Sequence, residues 1–185
     1  RVNHQLAKRS TIGGAFINKE NLGPNEDHYN RVFALDGKWG IGNKATLSGY
    51  LAKSSTPNID KNDHSFKVNY NYEWNKLNVV VGYSELGNGF NPEEGFLLRN
   101  SFRKPEALIL YHWRMNGKAG LLELRPHISY RSYWNYSNHK LETSFLHIDN
   151  HWEWQNGLEI HTGINFTSEG VFKPFEIASK VVVPA

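Results

Sequence analysis

The residues best equipped for chemistry cluster in the second half of the chain. His147-x-Asp149-x-His151 places three metal-capable side chains on one phase of an alternating run. On a strand rising about 3.4 Å per residue, the two histidines stand about 13 Å apart. That is too far to share one ion unless a bulge or a cross-strand partner such as His161 intervenes. A polar ladder is therefore the expectation, and no metal ligand is assigned. A second group comprises His112, Arg114, Glu123, Arg125, His127 and Arg131. If a hairpin closes at Asn116-Gly117, these residues line neighbouring strands on the faces opposite the apolar rows. A charged ladder of this kind tunes what binds or passes inside a barrel, and it serves equally as ion pairs filling a narrow interior. Glycoside hydrolysis needs two carboxylates about 5–9 Å apart across a cleft. Glu93 and Glu94 are loop neighbours, while Glu123, Glu142 and Glu159 are interleaved with basic groups, so no pair stands out. No Gly-x-Ser-x-Gly elbow, phosphate loop or His-Glu-x-x-His helix occurs. No catalytic residue and no cofactor is expected.

Composition narrows the classes further. The 185 residues contain no Cys, which removes disulfides, thiolate metal sites and cysteine nucleophiles together. Twenty-one Lys and Arg against 18 Asp and Glu give a net charge of +3, with the signs interspersed. Lacking a basic stripe, the chain is not expected to bind nucleic acid. No run of about 18 apolar residues exists, so no transmembrane helix is expected. The chain opens Arg1-Val2-Asn3, with neither an initiating Met nor an apolar leader, and reads as either a processed chain or a segment of a longer protein.

The elements that must position these residues are strands. Phe66, Val68, Tyr70, Tyr72 and Trp74 alternate with Lys67, Asn69, Asn71 and Glu73, and Asn75-Lys76 reads as a tight turn. The same period of two recurs over 107–116, 122–131 and 158–167. Turn signals fall at Asn116-Gly117, Asn138-His139 and Asn156-Gly157. About ten strands are expected, over 6–18, 29–39, 43–54, 64–74, 77–86, 104–116, 121–134, 140–154, 157–167 and 172–183. They form an all-β, antiparallel up-and-down meander, a single region spanning 1–185 that is part or all of a transmembrane β-barrel. Pro126 lies mid-strand, where it deletes a ladder donor and requires a bulge, an edge or a strand end.

One apolar and one polar face also suits a half-solvated soluble sheet. Three features favour a membrane barrel. Strands of about ten residues match the length that crosses a bilayer at a tilt. Aromatic residues gather near strand ends at Trp39, Tyr72, Trp74, Tyr133, Trp134, Trp152 and Trp154, where a barrel carries its aromatic girdle. A polar interior also accounts for the mean hydropathy of −0.60. The alternative is a soluble carbohydrate-binding module using Trp134, Trp152 and Trp154 as platforms, or, more remotely, a glycan hydrolase.

The most specific local sequence is the loop Gly87-Asn88-Gly89-Phe90-Asn91-Pro92-Glu93-Glu94-Gly95-Phe96-Leu97-Leu98-Arg99. Pro92 fixes its own φ and keeps Asn91 extended, while Phe90 and Phe96 are placed to staple the loop onto the sheet end. The segment Phe90-Asn91-Pro92-Glu93-x-Gly95-Phe96-x-x-Arg99 resembles the signature of an uncharacterised bacterial outer-membrane β-barrel family. That family is found C-terminal to family-nine-type carbohydrate-binding domains. The stretches Tyr29 to Asp36 and Leu47 to Pro57 fit the same resemblance, which covers roughly residues 5–105. It implies an outer-membrane location and lipid as a partner. It also implies contact with glycans through a preceding domain, and association with other outer-membrane proteins. It supplies no catalytic residues.

Overall fold

The computed structural model describes residues 1–21, 23, 28–171 and 174–183. Its strands are β1 (Val2–Ala7), β2 (Ser10–Glu20), β3 (Tyr29–Ile41), β4 (Ala45–Ser55), β5 (His64–Trp74), β6 (Leu77–Leu86), β7 (Phe102–Tyr111), β8 (Trp113–Arg114), β9 (Leu121–Asn135), β10 (Leu141–Trp154), β11 (Glu159–Glu169), β12 (Phe175–Ala178) and β13 (Val181–Val183). Strands β1 to β11 form one antiparallel sheet in chain order, with β8 continuing β7 along β9. The short β12–β13 hairpin pairs only with itself. Among the described residues there is no α-helix, only a single 3-10 turn at Lys118–Gly120. The sheet does not close: β1 and β11 are its edges.

Three expected strands differ from those observed. The 6–18 strand is a hairpin, because Lys8-Arg9 forms a turn that carries its charge to the sheet end. There the Arg9 guanidinium donates to the carbonyl of Ala45 and to Thr46 Oγ1. The 104–116 strand breaks at His112, whose N–H donates to the Lys76 carbonyl and extends the β6–β7 ladder by one residue. Pro126 explains the break. The β7–β9 ladder stops at Leu110↔His127 and resumes as Trp113↔Leu124, so the interruption falls opposite the proline, which has no N–H to contribute. The 172–183 strand is the β12–β13 hairpin, and residues 172 and 173 lie outside those described.

The sheet's core is inverted relative to a water-soluble sheet. Continuous ladders fix which residues share a face. Trp39, Leu47, Tyr70, Val81, Ala107, Tyr130, Leu146 and Phe166 oppose one another across eight strands. Beside them runs Ile41, Ala45, Tyr72, Val79, Ile109, Ile128, Ile148 and Ile164. Most of these apolar side chains are exposed, as are Leu35 at 63% and Ile164 at 54%. On the opposite face the buried groups are polar: Asn30 (1% exposed), Ser54, Thr56, Ser65, Ser84 and Asp149. Among the described residues only four hydrophobic ones are buried, Val32, Ala45, Ala52 and Leu86. Soluble domains bury their large apolar residues, and this distribution is the reverse of theirs.

The polar face is concave, and the loop between β6 and β7 crosses it. Asn30 on β3 donates to the Asn91 carbonyl at 2.6 Å and accepts from the Glu93 N–H at 3.3 Å. Farther along the same loop, Arg99 donates to Thr143 Oγ1 on β10 at 3.1 Å. Six strand spacings separate β3 from β10, about 29 Å in a flat sheet. Six extended residues reach only about 20 Å, and an arginine side chain adds only about 7 Å more. The chain from Glu93 to Arg99 is shorter still, since Gly95 N–H closes a turn onto the Pro92 carbonyl. The sheet must therefore curl towards the loop, with its polar face inside.

Candidate functional site

The strand ends differ, and this places the aromatic residues. At one end the connections are tight: Lys8-Arg9, Gly42–Lys44, Asn75-Lys76, Met115–Gly120 and Gln155–Gly157. Gly117 (φ 80°) and Gly157 (φ 84°) occupy the left-handed region that such turns need. Trp39 and Trp74 stand exposed on the outer face near this end, with the Lys44 ammonium over the Trp74 ring. At the other end the connections lengthen, and the outer face turns polar. Glu85 receives His64 Nε2 at 3.0 Å, the Tyr83 hydroxyl at 2.8 Å and Arg103 Nε at 2.8 Å. Tyr133, expected among the girdle residues, belongs to the inner phase of β9. It packs edge-on against Phe102 and beneath the Arg99 guanidinium.

The long loop is held by its polar residues. Asn91 N–H donates to Ser54 Oγ at 3.0 Å, and Asn30 Nδ2 also donates to Thr56 Oγ1 at 2.8 Å. Lys19 bridges Glu93 and Glu94, each at 3.2 Å, and His28 reaches Glu93 at 3.1 Å. Partial burial pushes the Glu93 carboxyl up, but Lys19 and His28 outweigh it and hold the group below the usual carboxylate range. Arg99 also lies 3.9 Å from Glu142. The pair of aromatic staples is corrected: Phe90 is half-buried, but Phe96 is 85% exposed. Its neighbour Leu98 is exposed too, so backbone and charge rather than both rings seat the loop.

The expected charged ladder assembles in part. Glu123 is its centre, with His112 Nδ1 at 3.2 Å, Arg114 at 3.7 Å and Arg125 at 3.9 Å. Arg125 additionally pairs with Glu159 and lies 3.6 Å from Glu153, so three glutamates surround one guanidinium. Arg131 stands apart, over the Phe145 ring and opposite Glu106 in the ladder. His127 leaves the charged group for a histidine cluster. Its ring centroid is 5.0 Å from that of His147 and 5.1 Å from that of His151.

That cluster converges on Asp149, which the register sets between His127 of β9 and Gly163 of β11. Asp149 Oδ2 stands 3.2 Å from His151 Nε2, 3.7 Å from His161 Nδ1 and 3.8 Å from His147 Nε2. Two sets could hold an ion, His127–His147–Asp149 and Asp149–His151–His161, with donor atoms within 4.8 Å of one another in each. The spacing His147-x-Asp149-x-His151 carried the signal, but separation along one strand hid the convergence. Cross-strand pairing, His151 against His161 and Asp149 against His127, closes it.

No protein-family model, curated protein or solved structure matches the chain.

Proposed function

We propose that this chain is a region of an outer-membrane β-barrel, serving as anchor or conduit for a larger protein that handles glycans. One observation carries the reading: large apolar side chains cover the exposed face, while buried positions hold Asn, Ser, Thr and Asp. A lipid-facing band outside and a wet or ion-paired interior inside require this inversion. Strand length supports it. Nine strands run from 10 to 15 residues. At about 3.3 Å per residue and a tilt of about 40°, eleven residues rise about 28 Å, against an apolar band about 25 Å tall. Tight turns at one end and longer loops at the other match the asymmetry of such barrels. The free edges at β1 and β11 would be paired in the membrane, by one another or by further strands, since an unpaired edge cannot persist in lipid. The glycan-handling role rests only on the family resemblance carried by the Phe90 to Arg99 loop and the stretches Tyr29 to Asp36 and Leu47 to Pro57.

The absence of cysteine makes the test clean. Single substitutions Val81→Cys and Ile148→Cys on the outer face, and Asn71→Cys on the inner face, are probed with a membrane-impermeant maleimide. In detergent micelles or vesicles, the outer positions should be protected and Asn71→Cys labelled. A chain that is monomeric without detergent, with all three positions labelled alike, would sink the proposal. That result would favour a soluble sheet whose Trp134, Trp152 and Trp154 meet sugars.

A further inference from the structure

We infer that Asp149, His151 and His161 form a binding site for a divalent transition-metal ion on the inner face of β10 and β11. Three observations converge there. First, the donor set is right: two imidazoles and a carboxylate suit zinc and its neighbours, whereas calcium and magnesium take oxygen donors. Second, the Asp149 side chain is only 6% exposed, yet its Oδ1 has no hydrogen-bond partner. A buried carboxylate oxygen left unpaired is costly unless a cation or donor meets it. Gly163 makes room for this carboxylate, since a Cβ there would stand 3.1 Å from its Cγ and 3.2 Å from Oδ1. Third, the far sides of both rings are already engaged. His151 Nδ1 stands 3.2 Å and His161 Nε2 3.3 Å from the same Glu159 oxygen, and Arg125 anchors Glu159 in turn. A carboxylate behind ligating histidines sets their tautomer and orientation, leaving His151 Nε2 and His161 Nδ1 to face Asp149.

The geometry needs a small closure. Tetrahedral zinc with bonds near 2.0–2.1 Å wants its donors about 3.4 Å apart. Here His151 Nε2 already lies 3.2 Å from Asp149 Oδ2, and His161 Nδ1 lies 3.7 Å from it. The two ring centroids lie 3.7 Å apart with their planes tilted by 33°, so the rings must open to bring both lone pairs onto one ion. His161 is the free partner for that motion, lying half-exposed on an edge strand. The fourth position would belong to water or to an incoming ligand. The site needs only the register of β10 and β11, so it is independent of the membrane reading.

The test is zinc binding to the folded chain, by competition with a chromogenic chelator, with cobalt absorption reporting tetrahedral coordination. One tightly bound ion is expected, with Asp149→Asn and His161→Gln abolishing the cobalt spectrum. Glu159→Gln should weaken zinc by roughly ten- to a hundredfold, the usual cost of losing an outer-shell partner. His127→Gln, which removes a donor of the other set and only a ring-edge contact from this one, should cost far less affinity than His161→Gln. Circular dichroism on each variant separates lost binding from lost folding, and the exposed His161 position protects against the latter. Wild-type affinity no greater than that of His161→Gln would overturn the assignment. So would an equal loss in His127→Gln, which would move the ion to His127, His147 and Asp149.

Discussion

The inner faces of the two halves of the sheet are unlike, although their outer faces are the same. From β2 to β5 the inner phase is mostly small and uncharged, as at Ala15, Val32, Ala34, Ser48, Ala52, Ser54, Ser65 and Asn69, with charges only at Lys19, Asp36, Lys38, Lys67 and Glu73. From β9 to β11 it carries Glu123, Arg125, His127, His147, Asp149, His151, Glu159 and His161. Outside, both halves present aliphatic and aromatic rows that run without interruption from Trp39 to Phe166. The outer rows therefore keep one apolar character along the whole width of the sheet. The inner face is free of that constraint, and its chemistry is concentrated in three adjacent strands. The long loop joins the two halves: it anchors on Asn30 and Ser54 in the quiet half, and reaches the other through Arg99, through Asn88 to Ser137 and through the Ser101 carbonyl to Tyr136 N–H.

The sharpest way to break the comparison is to exchange the demands of the two faces. With lipid against the outer rows, Val81→Arg should destabilise the inserted protein by roughly 2–4 kcal/mol, the cost of a basic side chain near a bilayer midplane. Asn71→Arg on the inner phase of the neighbouring strand should cost far less. Denaturant titration in vesicles measures both, and equal costs would mean that the faces do not differ in environment. A smaller effect is expected at the centre of the charged half. Glu123→Gln removes the shared partner of His112, Arg114 and Arg125, and should cost on the order of 1–3 kcal/mol. A matched Ser48→Ala change in the quiet half should cost little.

The mildest effect concerns pH and the loop. Glu93 titrates below its ordinary range in the folded chain, so it binds protons less readily there than in the unfolded chain. The stabilisation from Lys19 and His28 is thus fully present above the ordinary carboxylate value. It fades as pH falls through the depressed one. Hydrogen exchange in the loop should rise in that acid window while the β5–β6 hairpin stays protected, and Glu93→Gln should raise it already at neutral pH.

Much of this was legible in the sequence, for reasons that differ by element. The β5–β6 hairpin falls at 64–74 and 77–86 as expected, because strict alternation on both sides of Asn75-Lys76 leaves one register that keeps the apolar set together. The β1–β2 turn was hidden, since Lys8-Arg9 lacks Gly, Asn or Pro and its reason lies in Thr46 and Ala45, far along the chain. His112, Glu123 and Arg125 were recognisable as a group because one hairpin joins them. Glu153 and Glu159, which complete it, come from strands whose register only pairing fixes.

The sequence by itself determined that this protein is made of long antiparallel strands with one apolar and one polar face. Side chains alternate with a period of two whatever the strand packs against, so that much needs no tertiary knowledge. Which face is enclosed was settled only by tertiary structure, because alternation is symmetric between an apolar core and an apolar exterior. The curl of the sheet breaks that symmetry, turning Asn30, Ser54 and Asp149 inward and leaving Leu35, Val81 and Ile164 outside. The gathering of His151 and His161 around Asp149 has the same origin. Neighbours on adjacent strands stand about 5 Å apart, whereas four residues along a strand span more than twice that, and register is a property of the fold.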